Sequence, residues 1–252
     1  MTRRLIFTVD VDRDVNIRLE GQEAAGSTDR GSGTAPRFVS SDRGIGIIAD
    51  LLDDIGIKGT FFVEGRTAEI ADCSRLSGHC IGFHGYDHED LTAVTDLESV
   101  MDRGYAAVAD NVSSPVCFRA PYMTMDDRIY SELSGLGIRH DSSVYADPGT
   151  PVYEVMGIME HPVAKGRDGS GRNMAAYLWP MHEGRRGPAD YVEFARGMDD
   201  GDLLISTHSW HMVETIGNGP MSEEEIGRNV SAVREALTGI IDEGFAPAII
   251  TD

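Results

Sequence analysis

LIFTVDVD, residues 5–12, is a strand-forming apolar run with two carboxylates set into its end. Leu5, Ile6, Phe7, Val9 and Val11 suit a buried strand, whereas Asp is among the poorest strand formers. In a strand, residues two apart project from the same face. If Phe7, Val9 and Val11 face one way, Thr8, Asp10 and Asp12 stand side by side on the other. Unpartnered buried carboxylates are costly, so this pair calls for a cation, a proton or a salt bridge.

Working outward, strand-like runs alternate with helical patterns along the chain. GTFFV (59–63), CIGF (80–83), PVCFRAP (115–121), IRHDSSV (138–144), DLLISTH (202–208) and APAIIT (246–251) read as strands. Between them, Ile47, Ile48, Leu51, Leu52 and Ile55 recur at helical spacing. Thr95 to Glu98 reads as a capping box opening a helix with Leu97, Met101, Tyr105 and Val108 on one stripe. DDRIYSELSGLG (126–137), a segment after Pro188 and a segment capped by Ser222 supply further helices. In the region 146–186, MGIMEHPV and AAYLWPM read as strands around a loop at 164–173. A Gly/Ser-rich stretch, 18–36, reads as a long loop of the functional or mobile kind.

Repeated strand–helix alternation implies parallel strands, and seven or eight such units in 252 residues point to an α/β fold. The expected architecture is a (β/α) barrel in one domain, residues 1–252. A doubly wound open sheet is the alternative, opposed by the lack of a GxGxxG turn or phosphate loop after the first strand.

The formal charge of −20 argues against a nucleic-acid partner, because phosphates would be repelled over most of the surface. No apolar run approaches the ~20 residues of a membrane span. Thr2-Arg3-Arg4 leads straight into the first strand, which reads as no secretory signal. Three cysteines without a CxxC pair argue against a disulfide framework. The cytoplasm is therefore the expected location.

Polar residues gather at the C-terminal ends of the expected strands: Asp10 and Asp12, then His84, Arg119, Asp141 and His208. In parallel α/β architectures that end carries the active site. In FHGYDHED, His84 and His88 are four apart, so a helical turn would bring both imidazoles to one face. Gly85 stands where the HExxH zinc motif has its glutamate. The third ligand and the base must come from elsewhere, with Asp12 the candidate ligand and Asp10 the candidate base. Two histidines and one carboxylate around an open position suit catalytic zinc or iron.

This constellation resembles the polysaccharide deacetylase family, carbohydrate esterase family 4. The matching stretches are, in order, VDVD (9–12), GTFFVEG (59–65), HGYDH (84–88), FRAPY (118–122), HDSSV (140–144) and ISTH (205–208). The resemblance implies a distorted (β/α) barrel and a divalent metal that hydrolyses N-acyl groups from amino sugars. Zinc comes first, with nickel, cobalt or iron behind. By the resemblance, Asp12, His84 and His88 would hold the metal, Asp10 would be the general base and His208 the general acid. Arg119 would hold Asp10 ionised, Asp141 would tune His208, and the Tyr122 backbone N–H would help hold the oxyanion. These roles agree with the chemistry of metal-assisted amide hydrolysis.

The spaced Asp10-Val11-Asp12 resembles the branch with peptidoglycan deacetylase-like and allantoinase-like proteins. Small non-sugar amides therefore join N-acylated sugars as expected substrates. Where the family's fourth motif has a tryptophan, Val144 and Tyr145 stand here. Tyr122, Pro121, Trp210 and His211 are candidates to line the substrate pocket, and His182 to reach it. His79 reads as fixing a turn before the third strand, and Cys80 and Cys117 as buried filler. A non-catalytic barrel that binds metal or carbohydrate is the competing reading. The oligomeric state stays open, a homo-oligomer included.

Overall fold

The structure, a computed structural model, describes residues 3–14 and 36–252; most of the 18–36 loop lies outside the described residues. The strands are β1 (Arg4–Val11), β2 (Thr60–Val63), β3 (Cys80–Phe83), β4 (Cys117–Phe118), β5 (His140–Asp141), β6 (Tyr145–Ala146), β7 (Tyr153–Val155), β8 (Ile158–Glu160), β9 (Val163–Arg167), β10 (Asn173–Ala175), β11 (Asp202–His208), β12 (Glu214–Thr215), β13 (Gly219–Pro220) and β14 (Ala246–Ala248). The helices are α1 (Val39–Ile55), α2 (Gly65–Ile70), α3 (Leu97–Asn111), α4 (Asp127–Gly135), α5 (Trp179–His182), α6 (Pro188–Arg196) and α7 (Glu223–Asp242).

The main sheet runs β11-β1-β2-β3-β4-β5-β8-β7, parallel throughout except for the antiparallel β7–β8 pair. β11 lines one edge of β1 along its length. On the other edge β14 pairs with Arg4 to Ile6 and β2 with Thr8 to Val11. The sheet curls into a distorted half-barrel. A contact across the inner face agrees with this curl: Arg119, just past β4, donates to Asp10 on β1 at 2.9 Å. In a flat sheet those strands would stand roughly 14 Å apart, at ~4.8 Å per step. The open doubly wound alternative is therefore set aside.

The two faces of β1 behave as its alternation predicts. Leu5, Phe7, Val9 and Val11 join α1 residues Ile45, Ile48, Leu51 and Leu52 in the main core. Burying each such side chain contributes about 1.5–3 kcal/mol. The inner face is layered. Ile6 packs with Phe62, Cys80, Cys117, Leu204 and Ile250 at the bottom. Thr8 meets Ser206 at 2.7 Å and Arg119 at 3.0 Å above it, and Asp10 and Asp12 come next.

Local chemistry sets most element ends, with some departures from expectation. Asp14 accepts from Ser40 N and Ser41 N and so satisfies the first turn of α1 from outside the helix. Gly44, in the same helix, lies so near the Ser209 carbonyl that a Cβ would sit 1.9 Å from its oxygen. The Ser222–Glu225 capping box forms as expected, whereas α3 is capped one residue later than expected, by Asp96. AAYLWPM is a strand only at its start, because Leu178 already turns into α5, with Pro180 near its N-terminus. Part of the expected 164–173 loop is instead strand. β9 and β10 form a hairpin whose tip is organised by Asp168, which accepts from Ser170 and Arg172.

Candidate active site

Asp12, His84 and His88 converge at the top of the inner face, each with a ligand atom within 4.8 Å of the others. The two histidines meet through a loop and not through the expected helical turn. Gly85 takes φ +71° and His88 itself φ +51°, a left-handed conformation that costs a non-glycine residue energy. The His84 Nδ1–H donates to Arg119 O at 2.8 Å, leaving Nε2 as the bare nitrogen. His88 Nε2 lies 3.4 Å from Asp12 Oδ2. Two ligands ~2.1 Å from a tetrahedral ion are about 3.4 Å apart, so the spacing fits.

The donor set also fits electrostatically. Both Asp12 oxygens and His88 Nδ1 are buried without a hydrogen-bond partner. Burial, with Asp10 and Glu64 adding to it, pushes the Asp12 carboxyl well above its ordinary pKa. Burial pushes His88 well below its own, assisted by His84 and Arg13. A buried acid that resists ionising, beside two imidazoles that resist protonation, is what a divalent cation would relieve. Arg13, the next residue, is held by the buried Glu64, which also accepts from Arg13 N at 2.9 Å. That clamp fixes the backbone at Asp12.

Asp10 lies beside this cluster but is bonded differently. Burial alone would raise its pKa, yet Arg119, His84, His208 and the Tyr177 hydroxyl outweigh burial and hold it below the ordinary value. Arg119 is itself fully buried, donating also to Ser142 O and Ser142 Oγ and lying over the Phe62 ring. His208 sits opposite Asp10 in the β1–β11 register, and burial pushes its pKa down to about 3.

A cleft of about 360 Å³ opens over Asp10, His84, His88 and His208, walled by Tyr122, Tyr145, Tyr177 and Trp179. A larger cavity of about 640 Å³, against α7, holds none of this cluster. Tyr122 has φ +61°, and its phenol donates to His88 O at 2.9 Å, tying the cleft wall to a metal-site residue.

Several expected assignments change. Asp141 does not bond His208. It accepts from the Ser143 hydroxyl at 2.6 Å, and burial beside Glu160 raises its pKa. His208 Nδ1 has no partner. Trp210 and His211 are fully buried and stacked on each other, 4.1 Å between centroids, behind the cleft; Trp179 is the tryptophan that lines it. Pro121 is buried and packs near Gly85, off the cleft wall. His182 is buried between Asn229 Oδ1 at 2.7 Å and Thr207 Oγ1 at 2.8 Å. His79 accepts from Gly59 N at 3.1 Å before β3, and Cys80 and Cys117 are buried with free thiols.

Sequence reasoning missed Tyr177, whose phenol donates to Asp10 Oδ2. Its segment carries no motif spacing, and only the fold brings it to β1. It also missed Glu64, which GTFFVEG contains without any sign of its buried partner.

Residues 45–140 match the family model described as polysaccharide deacetylase. Chitin deacetylase 1 of Cryptococcus neoformans var. grubii is 32% identical over 99 residues, covering 36% of this chain and 21% of that protein. The peptidoglycan deacetylase-like protein FGM2 of Gibberella zeae is 29% identical over 170 residues, 60% of this chain and 49% of that one. The chain thus spans less than half the length of either relative. A Mycobacterium smegmatis structure, provisionally described as a polysaccharide deacetylase, superposes with a TM-score of 0.60 at 22% identity, covering 100% of this chain and 94% of that one.

Proposed function

We propose that this chain, which belongs to the polysaccharide deacetylase family, hydrolyses the amide bond of an N-acylated amino sugar with the help of a divalent metal. Asp12, His84 and His88 would hold the ion, zinc by preference, with nickel, cobalt or iron as alternatives. A bound ion of this kind polarises the acyl oxygen and acidifies the attacking water. The observation that carries the reading is the division between two neighbouring acids. Asp12 is buried with both oxygens unpartnered, while Asp10 is paired with Arg119. The first suits a ligand and the second a base.

The chain's own groups then have separate tasks. Asp10, kept ionised by Arg119, takes the proton from the attacking water. The Tyr122 backbone N–H would steady the developing oxyanion. His208, on the cleft wall, delivers a proton to the departing nitrogen. Its depressed pKa makes it a strong acid once protonated, and scarce in that form at neutral pH. The aromatic walls suit the apolar face of a sugar ring.

The test is metal analysis with turnover on N-acetylated chito-oligosaccharides and, separately, on allantoin-like cyclic amides. Asp12→Asn should strip the metal. Asp10→Asn should retain it and lose ~10²–10⁴ in kcat. Turnover on cyclic amides alone moves the substrate to the small-amide class. Metal without turnover on either panel rejects hydrolysis of these two substrate classes and favours the metal- or carbohydrate-binding reading or another substrate. Equal metal loss in both variants rejects the role assignment.

A further inference from the structure

One tyrosine joins the base and the acid of the proposed reaction. Tyr177 lies between β10 and α5, yet its neighbours clamp it to β11. Ser206 N donates to Ala176 O at 2.9 Å, and Leu178 N donates to Ser206 O at 2.7 Å. The clamp sets Tyr177 opposite Ser206 in parallel register, two residues before His208. The phenol ring then lies 5.1 Å from the His208 imidazole, and the Tyr191 hydroxyl holds the Tyr177 carbonyl from behind at 2.8 Å. The Tyr177 hydroxyl contacts both Asp10 Oδ2 and His208 Nε2, the latter at 3.3 Å.

A phenol has one proton to give. Burial and the Asp10 charge raise the Tyr177 pKa well above its ordinary value, so the group stays a donor. The ionised Asp10 takes that proton. The contact with His208 then needs a proton on the imidazole, because two facing lone pairs would repel. Nε2 must carry it, which leaves His208 Nδ1, buried and unpartnered, as the bare nitrogen. Asp141, engaged with Ser143, is not there to orient the ring from that side.

We propose that Tyr177 is a positioning residue, a hydrogen-bonded link running from His208 Nε2–H through Tyr177 Oη–H to Asp10 Oδ2. With Arg119 on Oδ1, it fixes the carboxylate plane and leaves Oδ2 one lone pair for the incoming water. At His208 it sets the tautomer and ring orientation. No bond is broken by this link. The assignment of Asp10 and His208 as base and acid rests on the proposed function, but the hydrogen-bond direction does not.

The test combines ¹⁵N NMR of histidine-labelled full-length protein near neutral pH with steady-state kinetics, the His208 signal being identified by its loss in His208→Asn. Wild type should show the Nε2–H tautomer. Tyr177→Phe keeps the ring and should lose that single tautomer, with kcat down ~10–100-fold and KM within about twofold. An Nδ1–H tautomer in wild type overturns the link, as does a Phe variant with unchanged kcat. The wild-type spectrum needs no turnover and no folded Tyr177→Phe, only the His208→Asn spectrum that assigns its signal. A chain that hydrolyses no amide therefore sinks the proposed function without touching this result.

Discussion

Arg119 Nη1 donates to Asp10 Oδ1 at 2.9 Å across the inside of the curled sheet, with neither side chain open to solvent beyond a few per cent. This pair spans the inner face from β4 to β1 and also holds the candidate base ionised. Structure and chemistry thus share one contact.

Removing the guanidinium should damage both. Arg119→Met leaves a buried carboxylate without its cation, a loss of about 3–5 kcal/mol for a broken buried pair. Urea titration should record that loss, with a fall in kcat alongside it. A variant as stable and as active as wild type would mean that the pair is dispensable.

Metal binding should stabilise the fold through Asp12, His84 and His88. Zinc at ~100 times its Kd contributes about 2.7 kcal/mol, which for a chain of this size raises Tm by roughly 5–10 °C. Scanning calorimetry with and without chelator measures this. The shift should vanish in His88→Ala and persist in Asp10→Asn.

Stability should decline on mild acidification. His182 and His161 are pushed down to about 4, chiefly by burial. The unfolded chain binds their protons near pH ~6.5 and the folded chain only near 4. Their contribution is therefore complete above about pH 6.5 and is lost as pH falls toward 4, by up to about 1.4 kcal/mol per pH unit for each group. Denaturant melts across that range should show the slope, and His182→Gln should flatten it. A slope unchanged in that variant would acquit His182.

The two tryptophans should separate cleanly. Trp210 is fully buried, so Trp210→Ala should cost about 3–5 kcal/mol. Trp179 lines the cleft, so Trp179→Ala should raise KM several-fold with a smaller loss of stability. Equal stability losses and an unchanged KM would place Trp179 in the core in function as well.

Much of this was written along the chain. The alternation of LIFTVDVD foretells that Thr8, Asp10 and Asp12 share the inner face, because strand geometry is local and its period is two. The strand-end positions of His84, Arg119 and His208 follow from the same alternation of strands and helices. The amphipathic stripe and capping box of α7 were equally plain, since helix periodicity needs only near neighbours. What a helical spacing suggested for His84 and His88 proved to be a loop, with positive φ at Gly85 and His88. Four-residue spacing fixes separation along the chain and says nothing of backbone hand.

Other features belong to tertiary structure alone. Asp141 turned toward Ser143 and Glu160 because β8 pairs with β5, a neighbour chosen by sheet order. Trp179 took the cleft wall because Leu178 turns the chain into α5 where a strand was expected, and Trp210 is buried in the turn that follows β11. Tyr177 meets Asp10 across a separation of 167 positions in the chain. Local sequence determined which residues could carry the chemistry and which face of each element they occupy. The curl of the sheet decided which of them touch, because contacts between distant segments depend on how whole elements pack.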